Sequence, residues 1–344
     1  MHQRPLGRTG VSVSQLCLGA MMFGSWGNPD HDESIRIIHA ALDAGINFVD
    51  TADVYGAGES EEIVGKALAG GRRDDVVLAT KFFNPMGEDA NRRGGSRRWI
   101  IQAVEDSLRR LNTDWIDLYQ VHRLDPDTDI EETLSALTDL VHQGKVRYIG
   151  HSTFPASQIV EAQWTARDRR LQRFVTEQPA YSILVRAIEA DVLPTCLRHG
   201  LGVLSYSPLT GGWLSGRWRK DSGQQSSSRA SRLPERFDLS QPANQRKLDA
   251  VEALTQLADD TGITLIQLAI AFVLNHPAIT AAIIGPRTME QFDGQVAAAG
   301  VTLDQAVLDR IDEIVAPATT VNPVDNSFAN PALEPAARRR SGPS

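Results

Sequence analysis

INFVDTADVYGAGESEEIVGKALAGGRRDDVVLATK, residues 46–81, contains one complete unit of the chain's plan. β-Rich apolar runs at 46–51 and 76–81 each end in a polar residue, and a stretch of helical period separates them. The segment VVLA shows no polar alternation, which suits a strand of a parallel sheet covered on its outer side by helices. Working outward, runs of the same character recur at 13–19, 116–122, 148–152, 174–178, 202–207 and 281–285, making eight. Helix-period segments alternate with them. Residues 32–44 place Ile35, Ile38 and Leu42 on one face, and residues 97–111 do so with Ile100, Ile101, Val104, Leu108 and Leu111. Eight strand–helix units predict closure into a (β/α)8 TIM barrel, with a doubly wound sheet as the competing architecture.

Two stretches depart from a plain barrel. HQRPLGRTGVSV, residues 2–13, has a Gly-Arg-Thr-Gly turn between short extended pieces, as a β-hairpin plugging the barrel floor would. RKDSGQQSSSRASRLPERF, residues 219–237, is poor in apolar residues and reads as a mobile loop near the active face. Extra helices are expected after it, at 244–261 and 265–275. Residues 1–316 are read as one barrel domain, and 317–344 as a partly flexible tail containing Arg338, Arg339 and Arg340.

The 344 residues are 42% hydrophobic and 23% charged, with a net charge of -8, so a large core is expected and a broad nucleic-acid-binding surface is not. Cys17 and Cys196 are too few and too far apart for a disulfide framework or a zinc site. With no apolar leader-like run at the start and no membrane-length apolar stretch, a cytoplasmic protein with a small-molecule partner is expected. A homo-oligomer is left open.

Barrel enzymes carry their chemistry where strands end. Asp50 ends one strand and Tyr55 follows in the next loop; Lys81 and His122 end two more. Singly, each has an ordinary structural explanation, but four such residues at successive strand ends point to a site.

Around these residues the chain resembles the aldo-keto reductase superfamily, in the branch of bacterial and potassium-channel β-subunit-like proteins. The matching stretches are residues 45–68, VVLATK (76–81), SLRRLNTDWIDLYQVH (107–122), GKVRYIGHS (144–152), EQPAYSIL (177–184), SYSPLTGGWLSG (205–216) and AAIIGPRTMEQF (281–292). The resemblance implies reduction of an aldehyde or ketone by hydride from a nicotinamide cofactor, with no metal. Tyr55 would be the general acid, Lys81 and Asp50 its supporting ion pair, and His122 the residue that orients the carbonyl. A neighbouring ammonium is then expected to depress the phenol of Tyr55, whose reference pKa is about 10. The substrate class extends to keto-sugars, and an NADPH-binding regulatory or partner subunit is the alternative.

No GxGxxG is present; GAGESE at 56–61 lacks the last glycine. The resemblance instead lays the dinucleotide across the barrel mouth. It gives Gly19, Met21 and Asp50 cofactor contacts, Ser152 and Gln178 the carboxamide, and Tyr206 the nicotinamide face. Ser207, Leu209, Gly211 and Arg217 would approach the pyrophosphate, and Gly285, Arg287, Gln291 and Gln295 the adenosine end. A guanidinium at 287 suits a 2′-phosphate, so NADPH is expected over NADH, which is left open. Trp26, Phe83, Met86 and Trp213 are candidate substrate-pocket residues. The chain departs from the family pattern at Thr153, where Ser-Asn is usual, at Gln295, where asparagine is usual, and at His151, where a small apolar residue is common.

Overall fold

The computed structural model describes residues 1–221, 223, 225, 228–327 and 335–339. A hairpin of β1 (Gln3–Pro5) and β2 (Ser12–Ser14) precedes a closed parallel barrel. The barrel strands are β3 (Leu16–Gly19), β4 (Phe48–Asp50), β5 (Val77–Phe82), β6 (Ile116–Val121), β7 (Val146–Ser152), β8 (Thr176–Gln178), β9 (Gly202–Ser205) and β10 (Ile279–Ile284). Each pairs with the next, and β10 closes the ring on β3 with Ala282 opposite Leu16 and Ile284 opposite Leu18. The helices are α1 (His31–Asp43), α2 (Glu59–Ala67), α3 (Arg97–Leu111), α4 (Ile130–His142), α5 (Ala156–Arg169), α6 (Val192–His199), α7 (Ser228–Arg232), α8 (Pro242–Thr261), α9 (Leu265–Asn275), α10 (Met289–Val296), α11 (Gln305–Ile314) and α12 (Pro335–Arg338). The eight-stranded barrel is the architecture that the alternation predicts.

Strand periodicity sorts the side chains into two cores. Phe48, Ala79, Leu118, Leu204 and Ala281 face inward and pack with Leu6 and Val13 of the hairpin, which plugs the floor. Leu78, Tyr119, Ile149 and Val203 belong instead to the larger core beneath the helices. A side chain at 19 has no room inside: a Cβ on Gly19 would lie 2.6 Å from Ile283.

The expected single strand at 13–19 is two. At Gln15 the chain changes partners: its N–H donates to His2 O at 2.9 Å, while its carbonyl accepts from Ala282 N at 2.9 Å. This is the step from plug to barrel.

The 219–237 insertion carries more structure than its composition suggests, apart from residues 222, 224, 226 and 227, which lie outside the described residues. α7 falls within it, and Trp218 and Phe237 bury themselves on Trp213. Lys247 of α8, its side chain fully buried, donates to Arg236 O at 2.7 Å and to Asp325 at 2.8 Å. That pair ties the insertion to the stretch expected as a tail, which also pairs Val321 N with Leu184 O and Thr319 O with Arg186 N. Arg340 and most of the tail beyond 327 lie outside the described residues. Among the described residues no single helix is long and apolar enough to cross a membrane; one pair, α8 and α9, passes that test together but is bent by 93°.

Candidate active site

Inward-facing positions on the strands converge at their carboxyl ends. Asp50 continues the inward row of Phe48, Lys81 that of Ala79, and Gln120 that of Leu118. The loop after β4 then turns sharply, with Gly56, Ala57 and Gly58 all at positive φ (59°, 55° and 103°). The glycines that resemble a phosphate fingerprint serve this turn: a Cβ on Gly58 would sit 2.6 Å from Arg110.

The turn brings Tyr55 onto Lys81. Lys81 Nζ, fully buried, donates to Asp50 Oδ2 at 2.5 Å, Thr51 O at 2.8 Å and the Tyr55 hydroxyl at 3.3 Å. Burial pulls the ammonium toward neutrality, but Asp50 and Tyr55 outweigh it, so Lys81 stays charged above its ordinary value. For Tyr55 the balance differs from the sequence expectation. Burial, aided by Asp50, outweighs Lys81 and raises the phenol above 10 rather than depressing it. Tyr55 therefore remains a neutral phenol, its oxygen accepting from Lys81 and its proton free for a bound acceptor.

His122 stands edge-on to Tyr55, ring centroids 5.8 Å apart. Burial, then Lys81 and Arg123, hold its imidazole well below the usual range, so it is neutral near pH 7. Asn84 Nδ2 lies 3.0 Å from Nδ1. With the amide donating there, as the side chain is assigned, the histidine proton sits on Nε2.

Gln120 and Gln178 both donate to Asp50 Oδ1, at 3.1 and 2.9 Å, and fix its carboxylate. Ser152 donates to Gln178 O at 2.8 Å. Arg123 reaches across this group, donating to His122 O at 2.7 Å and Thr153 Oγ1 at 3.2 Å; no carboxylate pairs with it among the described residues. Tyr206 closes the set, its hydroxyl 3.3 Å from Thr153 Oγ1. His151 faces away, into the outer core, where it pairs with Glu177 and stacks on Phe154 at 4.5 Å. That partner accounts for a histidine at an apolar position.

Several of the expected cofactor residues lie on the segments that follow β9 and β10, neighbouring strands of the barrel. After β9, Ser207, Thr210, Gly211 and Gly212 all have positive φ, a chain of tight turns whose amides can approach an anion. Arg217 is exposed beyond them, its Nε donating to Ser215 at 3.3 Å. Gly285 is exposed, and a Cβ there would meet nothing within 4 Å. The amides of Gly285 and Arg287 donate to the side chains of Gln295 and Gln291 at 3.2 and 3.0 Å, so these glutamines brace the rim. The half-buried Arg287 guanidinium has no acidic partner among the described residues. A free guanidinium beside an open glycine rim and a run of turned amides fits a phosphorylated dinucleotide. Gly19 ends β3, and half-buried Met21 follows it.

Of the candidate pocket residues, Trp26 lies 5.9 Å from the Tyr55 ring, with Arg232 of the insertion over its other neighbourhood at 5.7 Å. The loop bearing Trp26 is clamped by Glu59, whose carboxyl Ser25 N–H and His31 hold down at about 2. Phe83 is half-buried beside the site at a φ of 139°. Met86 opens instead on a neighbouring cavity. Trp213 faces the core instead of the barrel mouth. It is fully buried in a three-ring cluster with Trp218 and Phe237, and donates to Arg236 O at 3.1 Å. The sequence reading passed over Asn84, Gln120 and Arg123; the position of Arg123 directly after His122 was the available signal.

Residues 15–316 match the Aldo/keto reductase family. The chain is 41% identical to the uncharacterized oxidoreductase YrpG of Bacillus subtilis, over 91% of this chain and 96% of that one. It is 36% identical to a probable voltage-gated potassium channel subunit beta of Arabidopsis thaliana (92% and 97%) and 34% identical to the versiconal hemiacetal acetate reductase of Aspergillus parasiticus (92% and 98%). The barrel, its closing hairpin and this span of likeness give one conclusion: the chain belongs to the aldo/keto reductase family and is an NAD(P)H-dependent oxidoreductase.

Proposed function

We propose that the protein reduces an aldehyde or ketone to an alcohol, with Tyr55 as general acid and NADPH as the preferred cofactor. The observation that carries this reading is the buried Lys81–Tyr55 contact, in which the phenol accepts a hydrogen bond and keeps its own proton. The cofactor supplies hydride. His122 Nε2–H and the Tyr55 hydroxyl form a pair of donors for one carbonyl oxygen, polarising it and then delivering the proton. Asp50 keeps Lys81 charged, and Gln120 and Gln178 hold Asp50 in place. Substrates range from small aldehydes to keto-sugars, for which Trp26 offers a stacking face at the mouth. Cytoplasmic action fits the two cysteines, both buried and free.

A panel of aldehydes, ketones and keto-sugars, followed by NADPH absorbance, tests the activity. No turnover on any member would sink it. With a substrate in hand, kcat/KM is expected to hold through neutral pH and fall only above pH 10, since the acid must be protonated and its pKa is raised. A fall near pH 8 would show that another group donates the proton.

For cofactor choice, Arg287→Ala is expected to weaken NADPH by about tenfold or more while barely changing NADH, because only NADPH carries the 2′-phosphate that this guanidinium would grip. Equal losses in fluorescence titrations would remove that role. The likeness to plant channel β-subunits supports a second reading, an NADPH-binding partner subunit with weak reductase activity. Rapid turnover by the isolated protein, sized by exclusion chromatography, decides for the enzyme and reports any homo-oligomer.

A further inference from the structure

A cavity of about 620 Å³ lies beside the barrel mouth, bounded by the loops after β4 and β5 and by α3. Tyr55, Lys81 and His122 do not line it; Trp26 does, and also neighbours Tyr55. Asp53 is 1% exposed on its wall, and among the described residues no side chain bonds either carboxyl oxygen; the Val54 amide is the one backbone donor that acts on it. Two further buried groups here are unpartnered, Trp99 Nε1 on the cavity wall and the Tyr119 hydroxyl on β6.

Buried polar groups are ordinarily satisfied, and three exceptions in one place call for a cause. The nearby acids are provided for. Glu61 accepts from Arg110 Nε at 2.7 Å and Thr80 Oγ1 at 2.6 Å, while Asp106 pairs with Arg109 and accepts from Gln102. Asp53 is the acid left over. Burial, with Glu61 adding to it and Arg110, the Val54 amide and Lys81 opposing, pushes its carboxyl well above the usual range, so a cationic partner would favour its ionised form. The two guanidiniums on the wall are already matched, Arg92 by Asp106 at 3.6 Å and Arg110 by Glu61 at 2.7 Å, and the Trp99 ring takes the Arg92 cation at 5.8 Å, an aromatic surface that accepts positive charge.

We propose that this cavity is a second ligand site, for a small organic cation whose ammonium or amidinium group pairs with Asp53 and whose apolar body lies against Trp26, Trp99 and Met86. Occupancy bears on the reaction through the backbone, because Asp53 N donates to Lys81 O at 3.1 Å and Tyr55 follows two residues later.

Titrating the full chain with benzylammonium chloride by calorimetry is expected to give saturable one-to-one binding, with benzyl alcohol weaker by about tenfold or more. Asp53→Asn keeps the shape and is expected to lose about tenfold or more in benzylammonium affinity. Ala103→Leu adds bulk to the cavity wall with Asp53 intact, and is expected to lose as much; it keeps the test decisive if the first variant fails to fold. Tyr55→Phe is expected to bind the amine unchanged, so that a failure of the reductase reading does not touch this one. No saturable binding, equal affinity for benzyl alcohol, or undiminished binding in either cavity variant overturns the site.

Discussion

Replacing Tyr55 by phenylalanine is expected to cut carbonyl reduction by about 10²–10⁴-fold, the usual contribution of a positioned general acid, while NADPH affinity stays within about twofold. The substitution removes one oxygen. Phenylalanine keeps the ring contacts with Trp26 and His122 at 5.9 and 5.8 Å, and Lys81 retains Asp50 and Thr51 O as acceptors. On the proposed mechanism, what disappears is the proton that the carbonyl oxygen must receive. The loss should therefore fall on kcat rather than on cofactor binding. Single-turnover rates alongside NADPH titrations separate the two, and an unchanged rate would take the proton-donor role from Tyr55.

The second large effect is on stability. Lys247→Met is expected to cost about 3–5 kcal/mol in urea unfolding, the range found when one partner of a buried ion pair is removed. Asp325 would keep its buried carboxylate with only Arg236 nearby, 3.9 Å away. Lys247→Met combined with Asp325→Leu is expected to recover much of the loss, since an apolar pair needs no counter-charge. Unfolding curves for the single and double variants check this; a single variant within about 1 kcal/mol of the parent would show that water reaches the pair.

The barrel and the meeting of Asp50, Lys81 and His122 were legible because these residues stand within one residue of strand ends, while Tyr55 follows from the turn after β4. Inward and outward faces alternate, and the last inward residue of a strand can be counted from the sequence. Asn84, Gln120 and Arg123 acquire their roles only when different strands are brought together, which no local pattern records. Trp213 shows the opposite failure: an aromatic in a glycine-rich loop reads the same whether it faces a pocket or the core, and Trp218 with Phe237 decides it. Tyr55 was misjudged in sign because sequence shows the charge of Lys81 but not the depth at which both groups lie. The same invisibility of burial hid Asp53, one residue among several polar ones in a loop.

The closure of the barrel has a consequence for how the chain is made. β3 leaves the ribosome long before β10, yet one of its edges is completed only by β10, and Arg4 of the hairpin donates to Ile279 O and Leu274 O at 2.8 and 2.9 Å. Until those residues emerge, the nascent barrel is an open sheet with apolar edges at Leu16–Gly19 and Gly202–Ser205, the kind of surface that recruits chaperones or self-associates. Vectorial synthesis thus leaves the barrel most vulnerable just before β10 emerges, and a chain cut short of β10 should accumulate as aggregate rather than as a smaller folded domain.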